Sequence, residues 1–375
     1  MAFQQRMMQT LEMRGELDRT VEYLPSDADL RERRNRNEGL TRPELAVLLA
    51  YGKLSLYSDL LASEVPDDPY LADELMTYFP PALRARFPQA IATHRLRREI
   101  IATGLANALI NQGGPTCLAR ISDQTGADVA AIARAFVAVR DIYGLPRINA
   151  AIDALDNKVD GEVQLGLYRA IQDLMIGRTI WFLRYANLSV GIASVVERYG
   201  KAVASVVGAL DTSLPEIWRA GRDRHIAELV QQGVPEALAA EIAVLPALAA
   251  ASDIALLAER TGRALDEAAP TFFAVGRYFA IDDIVTAAKA ISAPDYYDRL
   301  ALDRALGQLE TFIRQMTGEV LVGGGTGAEG LEAFVDSRRR DVERIRATVQ
   351  DITTSGLSLS KLTLAANLLG DLARA

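Results

Sequence analysis

Residues 39–53 read Gly-Leu-Thr-Arg-Pro-Glu-Leu-Ala-Val-Leu-Leu-Ala-Tyr-Gly-Lys, a stretch that predicts the start of a helix. Thr41 is the predicted N-cap, because its hydroxyl can accept a hydrogen bond from a backbone N–H of the first turn. Glu44 lies three residues later, where its carboxylate can accept from the N–H of Thr41 and complete a capping box. Leu45 to Ala50 are apolar nearly all round the helix, so we expect it to be buried as a core element.

Apolar residues recur at helical spacing through most of the remaining chain. The pattern predicts an all-α protein, a multi-helix array of packed helical subdomains with no sheet. At the usual mean helix length, 375 residues correspond to about 14 to 18 helices. Residues 1–24 read as one helix with no capping signal at its start, so we expect it to continue from a part of the protein upstream.

Turn residues and composition divide the chain into five predicted segments. The first is an N-terminal helical segment, and two helical subdomains, a glycine-rich linker and the C-terminal helices follow it. In that order the segments are residues 1–93, 94–210, 211–322, 323–330 and 331–375.

The two predicted subdomains resemble each other weakly in sequence. A Thr-Gly pair and a downstream apolar word occur in both, and a second word follows later in each. The spacing between the matches is about 136 residues and then about 135, which is typical of a duplicated helical unit with one deletion. The matched pairs are Thr125-Gly126 with Thr261-Gly262, residues 134–139 with 270–275, and residues 165–170 with 300–305.

The composition is that of an ordinary globular protein, with 50% hydrophobic and 24% charged residues. A formal charge of −8 argues against nucleic acid or an anionic membrane as the main partner. The apolar run from Ile242 to Ala258 is broken by Pro246, so we do not expect it to span a membrane. No apolar signal region opens the chain, and its single cysteine, Cys117, fits a reducing compartment. We therefore expect a cytoplasmic protein.

The residues for common catalytic and metal chemistry do not form recognisable patterns. The two histidines, His94 and His225, are far apart in sequence, and neither forms a metal-binding pair with a carboxylate at helical spacing. Asp282 and Asp283 lack the third aspartate of the magnesium motif of helical prenyl-transferring enzymes. Cys117 has no neighbouring histidine, which favours a buried inert thiol over a nucleophile. The sequence thus predicts no catalytic, cofactor-binding or metal-binding residue.

Gly325-Thr326-Gly327-Ala328-Glu329-Gly330 matches the G-x-G-x-x-G pattern of dinucleotide sites. Residues 319–322 could be taken for the strand that such a site needs before its turn. The following helix is strongly charged, however, and no further strand is predicted for the motif to join. We therefore interpret residues 323–330 as a flexible linker between helices.

Three sequence words carry a resemblance to a known family. They are residues 40–51 (Leu-Thr-Arg-Pro-Glu-Leu-Ala-Val-Leu-Leu-Ala-Tyr), residues 94–111 and residues 178–184 (Arg-Thr-Ile-Trp-Phe-Leu-Arg). These words resemble the C-terminal region of the large bacterial NAD-specific glutamate dehydrogenases. The resemblance covers most of residues 11–310, fades over 311–350 and returns in part over the tail.

The resemblance implies that catalysis and NAD binding belong to other domains of a parent enzyme. This chain would then be a non-catalytic region, with the catalytic domains as partners and a homo-oligomer as the full-length state. Helices near Trp181 and Trp218 are the candidate interfaces, since aromatic residues tend to anchor such surfaces. Whether the chain is itself an enzyme stays open: a free-standing helical scaffold or ligand-binding protein is the alternative, and a stand-alone enzyme with a site in the polar helix 94–111 is a third.

Overall fold

The computed structural model describes residues 2–214, 216–293 and 295–374, with the backbone alone described at 209–213 and 217. Within these ranges every regular element is a helix, which confirms the all-α prediction. The α-helices, numbered α1 to α21 in chain order, are Ala2–Met13, Asp27–Asn35, Arg42–Leu61, Ala72–Tyr78, Pro81–Arg86, Pro88–Ala92, Arg97–Gly113, Cys117–Thr125, Val129–Ile142, Leu145–Asp153, Gly161–Tyr185, Ile192–Ser213, Glu216–Gln231, Glu236–Ala249, Ala251–Thr261, Leu265–Tyr278, Ile281–Ala288, Tyr296–Val322, Gly327–Ser337, Arg339–Thr354 and Leu359–Arg374. Short 3-10 helices occupy Val65–Asp67, Pro69–Leu71 and Leu188–Val190. The helices outnumber the 14 to 18 expected, because several of them, such as α5 and α6, are only one or two turns long.

The predicted capping box at the start of α3 is confirmed. The hydroxyl of Thr41 accepts from the N–H of Glu44 at 3.4 Å, and the Glu44 carboxylate accepts from the N–H of Thr41 at 2.7 Å. Glu44 also accepts two hydrogen bonds from the Arg33 guanidinium, at 2.8 and 3.0 Å. The carboxylate therefore joins the start of α3 to the end of α2.

The prediction that α3 is buried all round over Leu45 to Ala50 is wrong. Its fully buried residues form one stripe at four-residue spacing, Leu48, Gly52, Leu56 and Leu60. Ala46 and Ala50 are exposed, because α3 packs through that stripe, mainly onto α7. Alanine is apolar but small, so its presence in the sequence did not distinguish a covered face from an open one.

The single helix expected over residues 1–24 is also wrong, since α1 ends at Met13. Gly15 has a φ of +70°, its N–H donates to the carbonyl of Glu12, and the N–H of Glu16 donates to the carbonyl of Leu11. This pair of bonds is a Schellman motif, which turns the chain away from the helix axis. Leu17 and Leu24 beyond the turn still pack into the same core cluster as α1.

The chain forms two compact units: residues 1–147 with 168–198, and residues 148–167 with 199–375. In unit 1, α3 packs against α7, α9 and α1. In unit 2, the long helix α18 packs against α15, α16 and α21, with the rings of Phe279 and Phe312 in edge contact at 4.9 Å.

Each unit contains helices that correspond at a spacing of 136 residues. α9 and α16 have equal lengths of 14 residues. The glycines before them, Gly126 and Gly262, both adopt left-handed conformations, with φ of +72° and +67°. Gly144 and Ala280 after them have φ of +62° and +51°. The residues buried in both helices are also equivalent: Ile132/Ala268, Ala133/Ala269, Ala135/Thr271, Phe136/Phe272, Val137/Phe273 and Val139/Val275. α9 and α16 are thus alike in length, in the conformation of the residues at both ends and in their buried positions.

The segment Glu236–Thr261 is long and apolar enough to cross a membrane by length and composition alone. In the structure 61% of its most apolar window is buried inside the protein. Since a core helix passes the same test, this segment is weak evidence for a membrane span.

Candidate ligand pocket in unit 2

Unit 2 contains an open cavity of about 850 Å³. Its walls come from α13, α14, α16, α17, α19 and α20, and it has an apolar floor with charged groups around it. The apolar lining includes Leu214, Val244 and Leu331. The volume lies in the range of small-molecule sites in proteins.

Trp218 and Asp282 lie together in this cavity, although they are far apart in sequence. The indole N–H of Trp218 donates a hydrogen bond to the Asp282 carboxylate, and the indole ring packs at 5.7 Å from the ring of Phe273. Burial raises the pKa of Asp282 to about 6; the bond from Trp218 opposes this shift, and the negative charge of Asp283 adds to it. Asp282 is thus a carboxyl group that can change protonation state close to neutral pH.

Cationic side chains surround the mouth of the cavity. Arg277 and Arg346 are exposed, and the Arg346 guanidinium lies 4.5 Å from the centre of the Tyr278 ring. Within the described ranges neither arginine is paired with a carboxylate. Arg222, by contrast, donates to Asp223 at 2.9 Å. The cavity therefore offers guanidinium groups that pair with no carboxylate in the described ranges, an aromatic face and a carboxyl group whose pKa burial raises to about 6.

The structure brings together four residues that stood out in the sequence: Trp218, His225, Asp282 and Asp283. The sequence offered no signal for Arg277 or Arg346, because charged residues on helices are usually solvated. His94, the other histidine, lies in unit 1, where its ring is 5.6 Å from that of Phe79.

Trp181 lies in the core of unit 1, with only 2% of its surface exposed. Its ring contacts Phe182 at 5.1 Å and Tyr185 at 5.5 Å. The Trp181 side chain therefore has no free surface to offer a partner, whereas Trp218 is half-buried at a cavity wall.

Cys117 is buried, as predicted, and burial raises its thiol pKa to about 12. Its Sγ lies 3.8 Å from the carbonyl oxygen of Leu109. A thiol with so high a pKa is almost entirely protonated at neutral pH, so the inert interpretation of Cys117 agrees with its surroundings.

The G-x-G-x-x-G motif follows a helix and not a strand, since α18 continues to Val322. An added Cβ at Gly330 would lie 2.6 Å from the Cα of Gly325, so the first and last glycines allow a close backbone approach. The N–H of Gly327 donates to the Thr271 hydroxyl at 2.7 Å. A phosphate at this helix start would need that same N–H as a hydrogen-bond donor. The predicted flexible linker 323–330 is in fact a tight turn and the first turn of α19, which begins at Gly327.

The polar helix that was expected over residues 94–111 corresponds to α7. Arg98 at its start donates to the carbonyls of Leu61 and Ser63 at 2.8 and 3.0 Å. Arg97 donates to Asp67 at 3.2 Å. These arginines join α7 to the segment that follows α3, which favours a structural role over a ligand site. No group of three or more histidine, cysteine, aspartate or glutamate side chains in the described part of the chain could hold a metal ion.

The described part of the chain is thus an all-helical region with an open, mixed-charge cavity in unit 2. A family model described as "Glutamate dehydrogenase, C-terminal" matches residues 37–371. The chain therefore belongs to the family of glutamate dehydrogenase C-terminal regions. The match runs through residues 311–350, where the sequence resemblance was expected to fade.

Curated relatives named "NAD-specific glutamate dehydrogenase" are similar to most of the chain. The protein of Halomonas elongata is 36% identical over 84% of this chain and 20% of its own length. The Pseudomonas aeruginosa protein is 39% identical over 72% of the chain and 17% of its length. The Mycobacterium tuberculosis protein is 32% identical over 93% and 22%. The chain thus spans about a fifth of the length of these relatives.

Proposed function

We propose that the chain is the non-catalytic C-terminal helical region of an NAD-dependent glutamate dehydrogenase and packs against the catalytic part of that enzyme. The whole enzyme would convert L-glutamate, NAD and water into 2-oxoglutarate, ammonia and NADH in the cytoplasm, as a homo-oligomer. The family match over residues 37–371 carries this proposal, together with the chain's span of about a fifth of its relatives.

The fold supports a non-catalytic role. Dinucleotides bind at the edge of a parallel sheet in the folds usual for NAD, and the described residues 2–214, 216–293 and 295–374 contain helices without strands. The glycine-rich turn follows a helix, and its Gly327 N–H is already bonded to Thr271. NAD in the whole enzyme is therefore assigned to the part outside this region.

The test is glutamate-dependent formation of NADH. The purified 375-residue chain is expected to form none, and the whole dehydrogenase polypeptide is expected to be active under the same conditions. Calorimetry with NAD alone provides a second measurement, in which the isolated chain is expected to give no binding heat. Turnover by the isolated chain would refute the non-catalytic role, and NAD binding would refute the assignment of the cofactor to the other part.

The cavity of unit 2 favours a second candidate function, the binding of a small molecule. Trp218 lies in its wall and bonds to Asp282, so a bound molecule would change the tryptophan emission. Titration of a Trp181→Phe variant with L-glutamate and 2-oxoglutarate tests this candidate with compounds of the proposed reaction. Saturable quenching that Arg277→Ala weakens would support a ligand site. Unchanged emission with both compounds would show that the cavity is not a binding site for L-glutamate or 2-oxoglutarate.

A further inference from the structure

We propose that residues 78–98, here called the basic elbow, dock onto an acidic and partly apolar surface of the catalytic part of the dehydrogenase polypeptide. This inference rests on the proposed function and names the surface through which the region would pack. The basic elbow contains the short helices α5 and α6 and the first residues of α7.

The basic elbow has almost no core of its own. α5 buries no residue, and α6 buries only Ile91. Helices of five or six residues are not stable alone in water and depend on packing of an apolar face. A segment of this length that forms helices without burying them is therefore a candidate for packing against something outside the chain.

Large apolar side chains stand exposed along the basic elbow. The exposed fractions are 63% for Tyr78, 42% for Leu83, 45% for Phe87 and 54% for Leu96. Single exposed apolar residues are common, and contiguous groups of them mark interaction sites; four lie within this one short segment. Aromatic residues in particular are enriched at protein interfaces.

The charge of the basic elbow is opposite to that of the chain. Residues 78–98 contain five arginines and no aspartate or glutamate, in a protein with a net charge of −8. Arg97 and Arg98 pair with Asp67. Among the described residues no carboxylate pairs with the other three arginines, Arg84, Arg86 and Arg95, and the buried Nε of Arg84 has no hydrogen-bond partner.

The partner is inferred from chemistry and from length. The Arg86 guanidinium lies 5.1 Å from the centre of the Phe87 ring. Guanidinium groups that pair with no carboxylate, beside exposed apolar side chains, are complementary to carboxylates around an apolar depression, and such complementarity steers and orients association. The relatives extend over about five times the length that this chain matches, so a large surface of the same polypeptide is available. The net charge of the chain disfavours polyanionic partners.

Hydrogen–deuterium exchange compares this segment in two states, the isolated 375-residue chain and the whole dehydrogenase polypeptide that carries it. We expect amides of residues 78–98 to exchange rapidly in the chain alone and at least about tenfold more slowly in the whole polypeptide, because docking stabilises α5 and α6 against local opening. Equal exchange in both states would overturn the proposal.

A charge-reversal variant, Arg84→Glu with Arg86→Glu, is expected to restore rapid exchange to the elbow of the whole polypeptide. The matched control is Arg340→Glu with Arg344→Glu, two exposed arginines on α20, which is expected to leave the protection unchanged. Protection that survives the elbow variant would overturn the proposal.

The same data separate this proposal from the proposed function. If other segments are protected in the whole polypeptide and the basic elbow is not, the packing role is retained and the basic elbow is refuted as the docking surface. No protection anywhere in the region would refute the packing role as well. Vesicles of phosphatidylcholine with anionic phosphatidylserine are included, and protection that appears only with them would assign the elbow to a membrane instead.

Discussion

Ala280 is held in the left-handed conformation, with φ of +51° and ψ of +37°, at the start of α17. Its counterpart 136 residues earlier is Gly144, which adopts a similar φ of +62°. Glycine adopts this conformation without steric cost, whereas an L-residue with a Cβ does not. We therefore predict that Ala280→Gly stabilises unit 2 and that Gly144→Ala destabilises unit 1.

The expected change in the free energy of unfolding is the difference between two effects, backbone strain in the folded protein and chain freedom in the unfolded protein. A left-handed conformation costs an L-residue about 1–2 kcal/mol, and the extra freedom of glycine in the unfolded chain costs about 0.5–1 kcal/mol. The methyl group of Ala280 is exposed, and an added Cβ at Gly144 would meet no atom within 4 Å. The backbone terms therefore dominate, and each substitution should change the free energy of unfolding by about 0.5–1 kcal/mol.

Urea unfolding followed by tryptophan emission measures both effects, because Trp181 lies in unit 1 and Trp218 in unit 2. Backgrounds with Trp181→Phe or Trp218→Phe leave one reporter for each unit. With a slope of about 2–3 kcal/mol per molar urea, the midpoints should move by about 0.2–0.5 M in opposite directions. Destabilisation by Ala280→Gly, or stabilisation by Gly144→Ala, would refute the backbone argument.

Three further substitutions test the cavity, the core and the helix cap. Burial raises the pKa of Asp282 to about 6. Between about pH 4 and about pH 6 the folded protein therefore retains a proton on this carboxyl group that the unfolded chain loses. The free energy of unfolding should fall as pH rises through that range. Asp282→Asn should therefore stabilise the protein at pH 7 but not below pH 4 in urea titrations, and Asp266→Asn, at an exposed aspartate in the first turn of α16, serves as the control. Asp253→Asn should cost about 3–5 kcal/mol in the same assay, because it removes the negative charge that faces the buried Arg314 guanidinium, and an additional Arg314→Met should recover much of that loss. Thr41→Ala should cost about 1 kcal/mol through the lost cap and leave the turnover of the whole enzyme unchanged; a folded, assembled variant without turnover would contradict this.

The features that were predictable from sequence depend on neighbouring residues. The capping box joins Thr41 to Glu44, only three positions away, so side-chain type and spacing were sufficient to identify it. The Thr-Gly pairs at residues 125–126 and 261–262 likewise mark helix ends through the local conformation of glycine. The family words, which do not depend on contacts at all, indicated the right family.

The features that were missed depend on contacts between distant parts of the chain. Trp218, Asp282 and Arg346 meet at one cavity although about 64 residues separate each from the next, and no local pattern encodes that meeting. In the same way, the apolar residues Leu83 and Phe87 resemble core residues in the sequence. Only the structure shows that both side chains are exposed.

Sedimentation velocity of the chain, mixed with a dehydrogenase polypeptide that lacks its C-terminal region, tests the central claim most directly. If the chain is a packing region, the two polypeptides should sediment as one complex. High salt should weaken that complex, because screening reduces the attraction of the basic elbow for its partner. Two species that sediment independently at all concentrations and salt conditions would contradict the account.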